Sequence, residues 1–133
     1  MTPKEVIPED VVNAFFADVE RIDIDAAVGH LADEISYENM PVQPVKGKED
    51  VRNLMSGFLA AATEVEWKVL RQHCVGNVVF NERLDRFKMN GGWLELPVAG
   101  IFEVNDDRKI TLWRDYFDMG TYMDQLTKLM QGD

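Results

Sequence analysis

The chain has 133 residues, of which 46% are hydrophobic and 10% aromatic, so it can close one hydrophobic core and is not a disordered chain. Twenty-four acidic against 14 basic residues leave a formal net charge of −10, which argues against nucleic acid and anionic membrane surfaces as partners. A single cysteine excludes an internal disulfide, and two separated histidines offer no zinc site. We expect one cytoplasmic domain over residues 1–133, starting without a signal peptide.

Helices dominate the first half of the chain. Apolar residues recur there with a period near 3.6, which is typical of amphipathic helices, and Pro8 suits the first turn of such a helix. The predicted helices span residues 8–20, 24–31 and 48–62. Residues 35–39 predict a short strand, and Pro41, Pro44 and Gly47 indicate an irregular loop after it.

Alternating apolar and polar residues dominate the second half and predict antiparallel strands. The predicted strands span residues 64–75, 77–89, 93–105 and 109–118, and a last helix spans residues 121–131. Glycine and asparagine mark the turns between these strands. Helices followed by a long meander indicate an α+β fold, with helices on one face of a sheet that curves around a pocket.

Charged residues occupy unexpected positions in the strand predicted over 77–89. Arg83 and Asp85 point to the same side, about 7 Å apart at their α-carbons, among Val79, Asn81, Phe87 and Met89. The opposite side, with Phe80, Glu82, Leu84 and Arg86, is equally mixed. The pattern therefore leaves open which side faces inward, and it also permits an exposed ion pair of little energetic value.

Two further polar groups occur among aromatic residues. Asp115 lies between Trp113 and Phe117 on one side of its strand, where a carboxylate loses hydration and is suited to act as a base. Tyr37 and Asn39 share one side of the first strand, and a phenol and an amide can hold a water molecule between them. The alternatives are an edge ion pair for Asp115 and strand-end hydrogen bonds for the other two.

Three motifs together resemble the limonene-1,2-epoxide hydrolase family. They are Tyr37-Glu-Asn-Met-Pro41, Glu82-Arg-Leu-Asp85 and Trp113-Arg-Asp-Tyr-Phe-Asp118, and they occur in the family's order and at nearly its separations. The resemblance extends over most of the chain. It implies a cone-shaped fold like that of nuclear transport factor 2 and ketosteroid isomerase, with a strongly curved mixed sheet and three to four helices over a deep apolar pocket. It also implies a homodimer that needs no cofactor.

The resemblance further implies a role for five residues. The family's aspartate–arginine–aspartate trio falls on Asp85, Arg83 and Asp115, and its water-binding pair falls on Tyr37 and Asn39. We expect Asp115 to take a proton from water and Asp85 to protonate the epoxide oxygen, with no covalent intermediate. The expected substrate is a small terpene or cyclic epoxide such as limonene-1,2-epoxide, which suggests a part in terpene degradation.

An apolar substrate requires apolar pocket walls. We expect substrate contacts from Phe16, Val19, Phe58, Phe87, Leu96, Val98 and Phe117, although aromatic residues at helical spacing are also typical of plain core. Two alternative functions remain open on this scaffold. One is a ketosteroid isomerase-like or polyketide cyclase-like enzyme that uses a single aspartate, and the other is a non-catalytic module that binds an apolar ligand.

Overall fold

The computed structural model describes residues 7–131, so most of the N-terminal segment, where no signal peptide is expected, lies outside the described residues. Helix α1 begins at Pro8, whose fixed backbone angle and missing amide hydrogen suit a first helical position. The Asp23 side chain accepts a hydrogen bond from the Ala26 backbone amide at 3.1 Å and so caps α2. The helices are α1 Pro8–Glu20, α2 Ile24–Val28, α3 Lys48–Leu59 and α4 Met119–Gln131.

A six-stranded sheet forms the other layer, in the spatial order β2-β1-β6-β5-β4-β3. The strands are β1 Leu31–Asn39, β2 Val45–Lys46, β3 Glu64–Val75, β4 Val78–Met89, β5 Gly92–Val104 and β6 Ile110–Tyr116. Strands β1 and β6 pair in parallel and all other neighbours pair antiparallel, so the sheet is mixed. The predicted α+β fold with a mixed sheet is confirmed.

The inner face of the sheet is covered by α1 and by the helices that follow it. The buried side of α1 consists of Val11, Val12, Phe15, Phe16 and Val19. These residues pack against Trp67, Phe102 and Trp113 of the sheet and form the main core cluster. A second, smaller apolar cluster joins Leu94, Leu96 and Val98 of β5 to α4. The region between the two clusters is where the sheet carries its buried polar residues.

The predicted bounds need correction around α2, β1 and β2. Helix α2 ends at Val28, and Leu31, expected at the end of that helix, begins β1. A register shift between Leu31 and Ser36 interrupts the alternation of β1, which is why the pattern indicated a strand only from Ile35. The two-residue strand β2 lies within the predicted irregular loop. The strands β3 to β6 agree with their predicted bounds to within two residues.

The structure also decides which side of β4 faces inward. Val79, Asn81, Arg83, Asp85 and Met89 are buried, whereas Phe80 and Glu82 of the opposite side are exposed. The Arg83–Asp85 pair is therefore inside the molecule and is not an exposed ion pair. No helix within residues 7–131 is long and apolar enough to span a membrane.

Candidate active site

A cavity of about 200 Å³ opens between the inner face of the sheet and helices α3 and α4. Most of its wall is apolar, and its polar lining comes from β1, β4 and β6. The lining side chains are Tyr37, Asn39, Val42, Leu54, Phe58, Trp67, Asp85, Phe87, Met89, Leu94, Leu96, Val98, Asp115, Phe117, Met119 and Tyr122. A few convergent polar groups in an apolar wall are typical of a site for a small apolar molecule.

The centre of the polar group is the guanidinium of Arg83, which is fully buried. Its Nε donates to Asp85 Oδ1 at 3.0 Å, and its Nη2 donates to Asp85 Oδ2 at 2.9 Å. The same Nη2 also donates to Asp115 Oδ2 at 3.0 Å. One nitrogen thus bridges two carboxyl groups that come from β4 and β6.

Three aromatic rings enclose this guanidinium. Its central carbon lies 5.1 Å from the ring centre of Phe16, 5.4 Å from that of Trp67 and 5.9 Å from that of Phe102, within range of cation–π attraction. Burial by itself lowers the pKa of Arg83, but the charges of Asp115 and Asp85 outweigh it and raise that pKa above its ordinary value. Arg83 is therefore a permanent cation at this site.

Asp85 differs from an ordinary surface carboxylate because it is buried. Burial raises the pKa of Asp85, the charges of Asp115 and Glu20 add to the increase, and Arg83 acts in the opposite direction. The net shift favours the protonated form of Asp85. A protonated carboxyl at a cavity wall can donate its proton to an oxygen of a bound molecule.

The two carboxyl oxygens of Asp115 differ in their hydrogen bonds. Oδ2 accepts from Arg83 Nη2 and from the indole nitrogen of Trp113, each at 3.0 Å. Oδ1 is buried and has no hydrogen-bond partner among the described residues. Since a buried oxygen without a donor is costly, Oδ1 is the atom of Asp115 that is ready to accept a proton or a hydrogen bond from a ligand.

The parallel pairing of β1 with β6 places Tyr37 and Asn39 beside this carboxylate. Tyr37 is opposite Trp113 and Asn39 is opposite Asp115 in the register. The Tyr37 ring stacks on Trp113 at 3.7 Å between ring centres. Burial raises the pKa of Tyr37 well above its usual range, and the Asp115 charge adds to this, so the phenol keeps its proton. A neutral phenol and an amide thus line the cavity next to Asp115.

Comparisons with known proteins agree with this geometry. Residues 6–128 match the family model described as the limonene-1,2-epoxide hydrolase catalytic domain. The chain belongs to this family. It is 33% identical over 108 residues to epoxide hydrolase EphG of Mycobacterium tuberculosis, which covers 81% of this chain and 71% of that protein.

Solved structures also resemble this member of the limonene-1,2-epoxide hydrolase family. A limonene-epoxide-hydrolase-like epoxide hydrolase from M. tuberculosis aligns with a TM-score of 0.78 at 30% identity, over 94% of this chain and 90% of that one. A protein with a ketosteroid isomerase-like fold from Catenulispora acidiphila aligns with a TM-score of 0.77 at 19% identity, over 90% and 93% of the two chains. The second likeness is one of fold alone. The expected nuclear transport factor 2-like fold is confirmed.

In this family member, five of the seven side chains expected to contact substrate line the cavity. They are Phe58, Phe87, Leu96, Val98 and Phe117. The other two, Phe16 and Val19, belong to the main core cluster and do not line the cavity. Phe16 instead packs against Trp67 and Phe102 and lies over Arg83. The periodicity of α1 reports burial but does not separate core from cavity.

For several residues of the site, the sequence does not predict a role. Asn81 accepts from Arg83 Nη1 at 2.9 Å, and Gly100 provides the space in which that guanidinium lies. Alternation places Asn81 on the face of Arg83 and Asp85, but an amide next to a charged pair indicates no chemistry by itself. Met119 and Tyr122 come from a helix whose position over the cavity only the fold reveals.

Proposed function

We propose that this protein is an epoxide hydrolase that adds water to a small apolar epoxide and releases a vicinal diol. The observation that supports this most is a single buried arginine that bridges two carboxyl groups at an apolar cavity, with Tyr37 and Asn39 beside one of them. The raised pKa of Asp85 adds to it, because an acid is needed there at neutral pH.

In the proposed reaction, Tyr37 and Asn39 hold a water molecule next to Asp115. The water oxygen attacks one ring carbon of the epoxide while its proton passes to Asp115. As the new carbon–oxygen bond forms, the ring carbon–oxygen bond breaks, and the departing oxygen takes the proton of Asp85. The product contains both oxygens as hydroxyl groups, and no ester to the protein forms.

Each turnover leaves the proton on the wrong carboxyl group. Asp115 has gained one and Asp85 has lost one, so the proton returns to Asp85 before the next substrate binds. Arg83 Nη2 contacts both carboxyl groups and keeps them in one arrangement for this exchange. Between turnovers, the two carboxyl groups share one proton and one cation.

The proposed substrate is a compact apolar epoxide, of which limonene-1,2-epoxide is one example. The cavity of about 200 Å³ is lined mainly by aliphatic and aromatic side chains, which favour burial of hydrocarbon. Its polar lining includes Asp85 and Asp115, which meet through Arg83, and Tyr37 and Asn39 on the strand paired with β6. A substrate with one oxygen function on a hydrocarbon body fits this distribution.

We also propose that the protein forms a homodimer through the outer face of its sheet. Phe80, Ala99, Ile101 and Tyr116, here called the outer patch, come together there from β4, β5 and β6. Phe80 is 43% exposed and Tyr116 is 44% exposed. A contiguous apolar area on a chain with a net charge of −10 requires a partner surface that is itself apolar, and a second copy provides one.

The direct test of the reaction is a single-turnover experiment in oxygen-18 water. Water attack puts the label in the diol of the first turnover and leaves the protein unlabelled. Unlabelled diol in that first turnover, with label in the protein, would instead indicate attack by a carboxylate. Limonene oxide, cyclohexene oxide and styrene oxide cover the proposed substrate range, and an unsaturated ketosteroid tests the isomerase alternative.

Substitution of the two acids tests their roles. We expect Asp85→Asn and Asp115→Asn each to lower kcat/KM by about a hundredfold or more, because each removes a proton-transfer group. Asp107→Asn in the exposed turn before β6 is the matched control and should retain wild-type kinetics. Near-normal activity of either site variant would refute the assigned roles.

A further inference from the structure

Arg83 makes a fourth hydrogen bond that the proposed reaction does not use. Its Nη1 donates to Asn81 Oδ1 at 2.9 Å. Asn81 is two residues before Arg83 on β4, and only 6% of it is exposed. The guanidinium is therefore held on one side by two carboxyl groups and on the other by an uncharged amide.

The orientation of this amide is set by a chain of hydrogen bonds that leads to the surface. Asn81 Nδ2 donates to Gln72 Oε1 at 3.1 Å, and Gln72 Nε2 donates to Asn13 Oδ1 at 3.0 Å. Gln72 is half-buried on β3, and Asn13 is exposed on α1. Since an amide has a donor end and an acceptor end, this chain directs the oxygen of Asn81 toward Arg83.

The position of Asn81 determines where the rest of the guanidinium lies. An arginine fork is planar and rigid, so fixing Nη1 also fixes the direction of Nη2. Nη2 has two acceptors, Asp85 Oδ2 at 2.9 Å and Asp115 Oδ2 at 3.0 Å, and a small rotation would favour one over the other. The hydrogen bond to Asn81 opposes such a rotation.

Because Asn81 is uncharged, it also affects how many protons the neighbouring Asp85 and Asp115 carboxyl groups bind. The titratable groups that act on this site are Arg83 and Asp85 of β4, Asp115 of β6, Tyr37 of β1 and Glu20 of α1. With Tyr37 neutral, the trio of Arg83, Asp85 and Asp115 carries no net charge when one proton is bound. A third carboxylate against Arg83 would favour binding of a second proton.

We propose that Asn81 is a positioning residue that holds the Arg83 guanidinium between the two carboxyl groups, and that its neutral amide keeps the trio at one bound proton. This inference deepens the proposed epoxide hydrolysis and rests on it for its kinetic tests. Asn81 touches neither the substrate nor the water in this account. It acts only through Arg83.

Asn81→Asp tests the part played by charge. Aspartate has the shape of asparagine and keeps an acceptor for Arg83 Nη1, and Gln72 can turn its amide to donate to it. The added charge should move both limbs of the kcat/KM profile to higher pH by about one unit, because protonated neighbours are then favoured. If Asn81 served only as an acceptor, the profile would stay in place. An unchanged profile, or one moved to lower pH, overturns the charge argument.

Asn81→Ala tests positioning, with Asn53→Ala as the matched control at an exposed position of α3 outside this hydrogen-bond chain. Loss of the Nη1 acceptor should lower kcat by about tenfold or more and leave KM within about twofold, because the substrate is not contacted. Asn53→Ala should change neither constant by more than about twofold. A kcat of Asn81→Ala within about twofold of wild type overturns the positioning role.

A third measurement does not depend on turnover. Carbon-13 NMR of aspartate-labelled protein follows the titration of the Asp85 carboxyl group without substrate. We expect the pKa of Asp85 to be higher in Asn81→Asp than in wild type, and an equal or lower value overturns the inference. A wild-type protein that hydrolyses no epoxide would refute the proposed function, while the NMR comparison would still decide the role of Asn81.

Discussion

Gly100 of β5 lies directly under the Arg83 guanidinium, between Asn81 of β4 and Asp115 of β6 in the register. A Cβ at this position would lie 2.8 Å from Asn81 Oδ1 and 2.9 Å from Asp115 Oδ1, and closer still to Arg83 Nη1. All three atoms belong to buried groups that hold one another. The absence of a side chain at residue 100 is therefore what lets the arginine reach both acids.

We expect Gly100→Ala to lower the free energy of unfolding by about 1–3 kcal/mol, because the methyl group displaces a buried cation that donates four hydrogen bonds. It should also lower kcat/KM by about tenfold or more, since the bridge between Asp85 and Asp115 is disturbed. Urea denaturation and steady-state kinetics measure the two effects.

Gly57→Ala on α3 is the control for this substitution. A Cβ at Gly57 meets nothing within 4 Å, and alanine favours a helix, so this variant should gain about 0.5–1 kcal/mol and keep its activity. Equal behaviour of the two variants would contradict the packing argument at Gly100.

Helix α4 covers one side of the cavity, and it has fewer buried residues than any of the other three helices. None of its residues is buried, although Tyr122, Leu126 and Leu129 lie against the smaller apolar cluster on β5. Among residues 7–131, no strand pairs with the β5 edge beside α4 before Ala99, where the pairing with β6 begins. Gln125 occupies this edge: the Glu95 amide donates to Gln125 Oε1, and Gln125 Nε2 donates to the Glu95 carbonyl, both at 2.7 Å.

We expect Gln125→Ala to loosen α4 because it removes both hydrogen bonds to the β5 edge. Hydrogen exchange of α4 and of the Glu95 amide should become several-fold faster, while exchange of α1, with five buried residues, stays unchanged. Asp124→Ala, at the exposed neighbouring position, is the control. Equal exchange rates in the two variants would contradict the role of Gln125.

The sequence allows different elements to be predicted to different degrees. Strands β3 to β5 follow from alternation and from the turns at Gly76 and Gly91, which have positive φ angles that favour glycine. Which side of β4 faces inward cannot be predicted from the sequence, because Arg83 and Asp85 make the inward side as polar as the outward side. The motifs around Tyr37, Arg83 and Asp115 indicate a common site, but alternation within single strands cannot show that β1 and β6 pair in parallel.

At the scale of the whole molecule, the outer patch is the surface through which we propose that two copies associate. On a chain with a net charge of −10, association requires that buried apolar area outweighs repulsion between the copies. We expect Ile101→Asp to convert the proposed dimer into a monomer, because a carboxylate is placed beside Phe80 within the outer patch. Light scattering with size-exclusion chromatography measures the mass.

Met123→Asp is the matched control, because Met123 is 47% exposed on α4 and lies outside the outer patch. It should leave the mass at that of wild type. A wild-type protein that is monomeric at micromolar concentration would refute the dimer, and the hydrolysis tests would be unaffected by that result.

The parallel pairing of β1 with β6 has a consequence for how the chain reaches its native state. Glu38 and Arg114 bond across this pairing from positions 76 residues apart, and Asn39 and Asp115 are the next pair along. Closing so long a loop is slow compared with forming the β3–β4–β5 hairpins. The Asn39–Asp115 pair, where we propose that the attacking water is held, should thus assemble among the last contacts of folding. A ribosome-bound chain that ends before β6 lacks Asp115 and with it the proposed base.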